Sequence, residues 1–254
     1  MTGHVLIESD NGVLTIRLNR PERKNALTPD MLVDICDGLD RASSDADIRV
    51  MVFAGDGGNF TSGNDVSAFP AKPSPGEETL PYRFVKGLIN SPVPIIAGVD
   101  GVAAGIGATM LLHCDAVIAT PETRVVLPFL RMALVPEAGS SLILPELLGY
   151  TRATDLLLSG EPLDGNRAFE FGIVTTIVES EHLGQAVADK ARHYTRLPRA
   201  AVERTRRLLK GDTDRLLQRI EEEQTELFKC FASEEHKEAV AAFIEKRPPD
   251  FSKV

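Results

Sequence analysis

The chain has 254 residues, 43% of them apolar and 26% charged. This composition suits a folded enzyme with a sizeable core and excludes a disordered chain. The net charge of -9 argues against general nucleic-acid binding, because neutralising phosphates requires a basic surface. Three widely spaced cysteines, Cys36, Cys114 and Cys230, provide neither a disulfide framework nor a metal-ligand pair. No metal is therefore expected, and a reducing, cytoplasmic setting is. The first ten residues lack a signal pattern, no apolar run reaches membrane-spanning length, and Ser252-Lys253-Val254 is not a peroxisomal address.

In chain order, residues 13–18 alternate like a strand after an Asn11-Gly12 turn. Thr28-Pro29 marks a helix start, followed by Leu32, Ile35, Leu39 and Ala42 on one face. Residues 48–54 and 94–99 are near-continuous apolar runs, as buried strands require. Residues 105–114 are expected to form a buried helix. Segments 116–119, 125–127 and 173–178 are further strands. Strands alternating with helices predict an α/β fold with a largely parallel sheet. Residues 70–81, rich in Pro, Ser, Gly and Glu, form a loop that serves either as a lid or as a tolerated insertion. From about residue 181 the pattern turns helical, over 182–196, 199–210, 214–232 and 233–247, punctuated by Pro198 and Pro248-Pro249. Arg192, Arg196, Arg199, Arg204, Arg206 and Arg207 form either a local anion-binding patch or, the preferred reading, a solvated helix face.

Three segments carry candidate chemistry. In the first, Phe60-Thr61-Ser62-Gly63-Asn64-Asp65-Val66, a glycine and small residues allow a sharp turn and close approach to a ligand. Asp65 is placed to cap a short following helix. The second runs from Gly98 to Gly107 and leads into a helix start. Amides there lack intrahelical acceptors and suit a developing oxyanion. Its glycines do not follow the dinucleotide-binding spacing, and simple packing explains them equally. The third, Leu134-Val135-Pro136-Glu137-Ala138-Gly139-Ser140-Ser141, sets one carboxylate beside a helix start, where an acid is also favoured by the helix dipole alone. Of the histidines, His113 reads as structural. His4, His182, His193 and His236 lie outside the three segments, and no Ser-His-Asp arrangement is visible.

With these segments in order, the chain resembles the crotonase superfamily (enoyl-CoA hydratase/isomerase). The likeness begins at residues 18–27, Leu-Asn-Arg-Pro-Glu-Arg-Lys-Asn-Ala-Leu. It passes through Ser62-Gly63-Asn64-Asp65, Gly101 to Gly107, His113-Cys114-Asp115, Leu158-Ser159-Gly160 and the stretch around Gly172, and ends on Ala242-Phe243-Ile244-Glu245-Lys246-Arg247. The resemblance implies a ββα spiral core with an acyl-CoA site over 1–190. It also implies a C-terminal helical oligomerisation region over 191–254 and a homotrimer or dimer of trimers. It implies an oxyanion hole from the amides of Asn64 and Ile106. Coenzyme A, as part of the substrate rather than a separate cofactor, would contact Lys24, Ala26, Ser62, Asn64, Asp65, Val66, Phe243 and Lys246. Two glutamates typical of the family's hydratases are replaced here by Thr109 and Phe129. Glu137 stands where the peroxisomal type of Δ3-Δ2-enoyl-CoA isomerase keeps its single catalytic glutamate. Leu127, Phe129, Leu130, Leu134 and Val135 would wall that carboxylate, although core packing accounts for the same residues. The resemblance therefore points to an isomerase with Glu137 as base. The alternatives are another reaction of the family, such as hydration or thioester hydrolysis, and a noncatalytic acyl-CoA-binding protein.

Overall fold

The computed structural model describes residues 3–67 and 78–254. The chain opens with a hairpin of β1 (Val5–Asp10) and β2 (Val13–Leu18), paired antiparallel with Asp10 opposite Val13. Asn11 and Gly12 both take positive φ, the geometry that matches a two-residue turn to strand twist. Helix α1 (Pro29–Ser44) follows, with the Met31 N–H donating to the Thr28 hydroxyl and a proline in its first turn. Next come β3 (Val50–Gly55), α2 (Leu80–Asn90), β4 (Ile95–Val99), β5 (Val102–Ala104) and α3 (Ile106–Thr109). Then follow β6 (Ala116–Ala119), β7 (Arg124–Val126), α4 (Ser140–Leu148), α5 (Tyr150–Ser159), β8 (Leu163–Asp164), α6 (Gly165–Glu170) and β9 (Thr176–Ile177). Four helices close the chain: α7 (Ser180–Thr195), α8 (Arg199–Lys210), α9 (Thr213–Phe231) and α10 (Glu234–Glu245).

The main sheet has the order β1-β2-β3-β4-β6-β9, parallel from β2 onward. A smaller sheet, β5-β7-β8, stands apart. Alternation along β3 sorts the two faces. Met51 and Phe53 enter the main core with Leu32, Ile35 and Leu39 of α1 and Phe84 and Leu88 of α2. Val50 and Val52 face the opposite way, onto Val187 and Ala191 of α7. Ile220 of α9 belongs to the main core, so the late helices pack on the spiral. The expected boundary near 190 falls inside α7. Among the described residues, no helix is long and apolar enough to cross a membrane.

Several expectations need adjustment. The expected helix over 105–114 is only the short α3 continued by a 3-10 turn, Met110–His113, and β5 precedes it. Strand pairing over 173–178 is confined to β9. Asp65 accepts the Ser67 N–H and hydroxyl in a turn, and the short helix expected after it falls on residues that lie outside the described ones. Of the 70–81 loop, residues 70–77 lie outside the described residues.

Arg206 is not solvated. It is 7% exposed, pairs with Asp115 at 2.8 Å, and donates to Ser91 O at 2.6 Å. Lys210 sits one turn on, donating to Leu88 O and Ile89 O at the end of α2. Burial pushes its pKa down to about 8. Helix α8 thus turns these two cations inward and leaves Leu208 and Leu209 exposed. Removing one partner of a buried pair strands the other. Arg206→Ala is expected to lower the unfolding free energy by about 3 kcal/mol, read from urea denaturation.

Candidate active site

The first wall of the site is made by two loops zipped together. Lys24 and Asn25 both adopt left-handed conformations, which bend the chain after Pro21–Arg23. The Lys24 carbonyl then accepts the Ser62 N–H at 2.9 Å, Leu27 N–H donates to Gly63 O, and Asp65 N–H donates to Leu27 O. Buried Asn25 braces the corner by donating to Asp56 O and Asn59 O while accepting Arg20 N–H. Lys24, Ala26, Ser62, Asn64, Asp65 and Val66 are thereby gathered on one edge. The Asp65 carboxylate is already occupied. The Ser67 hydroxyl, together with Arg20 at 2.7 Å, holds its pKa below the usual carboxylate range against the effect of burial. Its side chain locks the loop.

The second wall lies parallel to the first. Thr61 N–H donates to Val102 O and Ala104 N–H to Thr61 O, forming a bridge between Thr61 and Ala103. This pairing brings Gly63 against the Ala104 carbonyl. A Cβ on Gly63 would lie 2.6 Å from that oxygen, and its φ is +88°. Gly105, also at positive φ, then starts α3. Ile106, the first residue of this helix, has no intrahelical acceptor for its N–H. Among the described residues, neither the Asn64 N–H nor the Ile106 N–H donates to any protein acceptor. Two unused amides therefore sit on adjacent segments, held by the same short pairing.

Glu137 lies on a third segment, tied to the 3-10 turn after α3 by His113 Nε2 at 2.8 Å from Ala138 O. After β7, the turn Leu130–Met132 closes with Ala133 at φ +51° and Leu134 N–H on Phe129 O. Ala138 and Gly139 then take successive positive φ values of +57° and +75°. The Ser140 N–H and hydroxyl both donate to Glu137 O, at 3.0 and 2.6 Å. Among the described residues, no donor reaches the Glu137 carboxylate. Solvent still touches the residue, but dense surroundings raise its pKa to about 7, chiefly by burial and secondarily through the charge of Glu223. A carboxylate titrating near neutrality can both take and return a proton.

The expected wall is uneven. Leu127 and Phe129 are buried, Leu134 is half-buried against the core, and Leu130 is exposed. Thr109 is fully buried, its hydroxyl directed at Ile106 O. Phe243 and Lys246 lie on the exposed side and the C-terminal cap of α10, whose contacts run to α9 and the 130–132 turn. His236 anchors that turn through Met132 O at 2.8 Å. Among the described residues, no group of three or more His, Cys, Asp or Glu side chains could hold a metal ion.

Sequence reasoning missed Glu223. It is 6% exposed on α9 and accepts Gly139 N–H at 2.7 Å and Ser141 N–H at 2.9 Å. A signal for it exists in the chain. Ile220, Glu223 and Leu227, spaced three and four apart, share the buried stripe of α9, so one acid interrupts an apolar face.

Comparison with known proteins places this geometry. The family model described as enoyl-CoA hydratase/isomerase matches residues 8–253. The 1,2-epoxyphenylacetyl-CoA isomerase of Escherichia coli K12 is 32% identical over 260 residues, covering 99% of each chain. Enoyl-CoA delta isomerase 2 of Rattus norvegicus is 33% identical over 251 residues, which is 96% of this chain and 64% of that protein. A crystal structure of an enoyl-CoA hydratase/isomerase from Pseudoalteromonas atlantica T6c superposes with a TM-score of 0.92 at 37% identity, covering 98% of this chain and 99% of the other.

The raised pKa of Glu137 has a measurable cost. Below its unfolded value of 4.5 the group is protonated in both states and the charge penalty is absent. As pH rises toward about 7 the unfolded chain releases the proton first, so folding stability falls, and it levels off above that value. The full penalty is of order 3 kcal/mol. Glu137→Gln is expected to match the parent's stability near pH 4.5 and exceed it by an amount that grows to about pH 7, as checked by denaturation at several pH values.

Proposed function

Since the chain belongs to the enoyl-CoA hydratase/isomerase family, we propose that it is a Δ3-Δ2-enoyl-CoA isomerase. The observation that carries this reading is the Glu137 carboxylate, which no donor reaches among the described residues and whose pKa is raised to about 7. In the proposed reaction the thioester carbonyl lies between the Asn64 and Ile106 amides. Glu137 removes a C2 proton from the 3-enoyl thioester, and the electrons move into the carbonyl to give an enolate. The two amides stabilise that oxygen, a contribution of typically about 3–4 kcal/mol per important donor. The protonated Glu137 then delivers the proton to C4, and the double bond settles between C2 and C3. One carboxylate suffices because it gives back what it takes.

Hydration would require acids that hold and activate water. Thr109 and Phe129, at the corresponding positions, cannot do so, and Glu223 spends both its oxygens on backbone amides. Coenzyme A would run along the edge formed by Lys24, Ala26, Ser62 and Val66. Phe243 and Lys246 would reach it within a homotrimer or dimer of trimers. The exposed Tyr150, Leu158, Leu208, Leu209, Phe243 and Ile244 support such an assembly, since their apolar surface needs a cover.

Purified protein mixed with a medium-chain 3-enoyl-CoA is expected to raise the ultraviolet absorbance of the conjugated 2-enoyl thioester. Glu137→Gln should reduce that rate by roughly 10³-fold. No rise across several chain lengths, with binding retained, would remove the assignment. The kcat/KM profile should fall on the acid side with an apparent pKa near 7, as Glu137 takes up a proton. Gly63→Ala pushes the two amide-bearing segments apart. It is expected to lower kcat by about 10²-fold, measured in the same assay.

A further inference from the structure

We propose that Glu223 is a positioning residue for Glu137, clamping the Ala138–Gly139 peptide from helix α9 while His113 holds the same peptide from the opposite side. The inference rests on the isomerase reading only for its kinetic consequence. The clamp itself is geometric. The Ala138 carbonyl lies 2.8 Å from His113 Nε2. A carbonyl only accepts, so Nε2 carries the proton. Burial holds the ring's pKa down to about 4, which keeps it neutral and its tautomer fixed. The N–H of the same peptide, on Gly139, donates to one Glu223 oxygen at 2.7 Å, and Ser141 N–H donates to the other at 2.9 Å. Both polar groups of the Ala138–Gly139 peptide, one residue beyond Glu137, are thus engaged by buried titratable side chains from separate elements.

The clamp is needed because the turn is costly. Ala138 is a non-glycine residue in the left-handed region, and Gly139 follows it there. Helix α9 reinforces the turn by packing. A Cβ on Gly139 would lie 2.5 Å from Leu216 Cδ1, and Ile220 packs just beyond. A relaxed turn would change where the Glu137 side chain points.

Glu223 also acts through its charge. The charged and titratable groups around it are Glu137, Arg219 on its own helix, which pairs with Glu222, and the more distant exposed pair of Arg215 with Glu146 on α4. From α2, the Tyr82 hydroxyl points at Glu221. Glu137 is the group whose protonation Glu223 favours, since like charges resist joint ionisation.

The test is Glu223→Gln, read by two measurements. Carbon-13 carboxyl NMR follows the Glu137 titration, with its resonance assigned by its loss in Glu137→Gln. The pKa of Glu137 is expected to fall toward the ordinary carboxylate range. In the isomerase assay kcat should drop about 10- to 100-fold with KM changed less than about threefold. A folded variant with unchanged Glu137 titration and unchanged kcat would overturn the proposal. So would a loss of activity matching only the unfolded fraction. If Glu223→Gln does not fold, Glu223→Asp keeps the charge with a shorter reach. It should lower kcat while leaving the Glu137 titration high, and an unchanged kcat overturns the clamp. Should the parent protein turn over no 3-enoyl-CoA, the functional reading fails on its own. The titration in Glu223→Gln then still decides whether Glu223 acts on Glu137.

Discussion

The close approach of two backbones, residues 61–64 against 102–105, is the constraint on which the candidate site depends. Hydrogen bonds through Thr61 set the register, and Gly63 allows a contact with the Ala104 carbonyl that a side chain would block. Among the described residues, the Asn64 and Ile106 amides on these segments have no protein acceptor. Backbone amides are obligatory hydrogen-bonding groups, so two left without an acceptor among the described residues are open to one from outside the chain. In the proposed reaction that acceptor is the thioester oxygen as it gains negative charge. A rigid pairing keeps the amides from turning toward other protein acceptors.

Around this pairing, charged side chains serve mainly as internal ties. Asp65 holds Arg20, Arg206 holds Asp115, and Glu223 holds two amides at the start of α4. Each brings a segment distant in sequence to a defined place. Glu137 differs from all of them, because among the described residues no donor satisfies its carboxylate. Its energetic cost is retained where proton transfer is proposed, as perturbed groups at functional sites commonly are. The stability penalty and the chemical usefulness come from one cause, removal of the carboxylate from bulk water.

Helix α9 links the late helices to this arrangement. Leu216 and Ile220 pack over Gly139 while Glu223 accepts its N–H. A segment expected to serve only in assembly therefore also contributes to the setting of Glu137. The exposed apolar residues of α8 and α10 remain available for association on the other side.

The sequence by itself determined the parallel α/β architecture, the family likeness and the three segments that carry the candidate chemistry. Those features depend on local periodicity, turn chemistry and residue types at short spacing, all carried by neighbouring residues. Glu137 was legible as a carboxylate beside a helix start, and its expected role came from the family resemblance rather than from its neighbours. Only the tertiary structure decided that Arg206 is buried, that Asp65 is spent on Arg20 and Ser67, and that Glu223 and His113 hold opposite sides of one peptide. Glu223 and Gly139 are 84 positions apart, and helical spacing reports which face of α9 is buried but not what that face meets. A charge's partner, its desolvation and the fate of a backbone amide depend on long-range packing, and no local pattern in the chain encodes them.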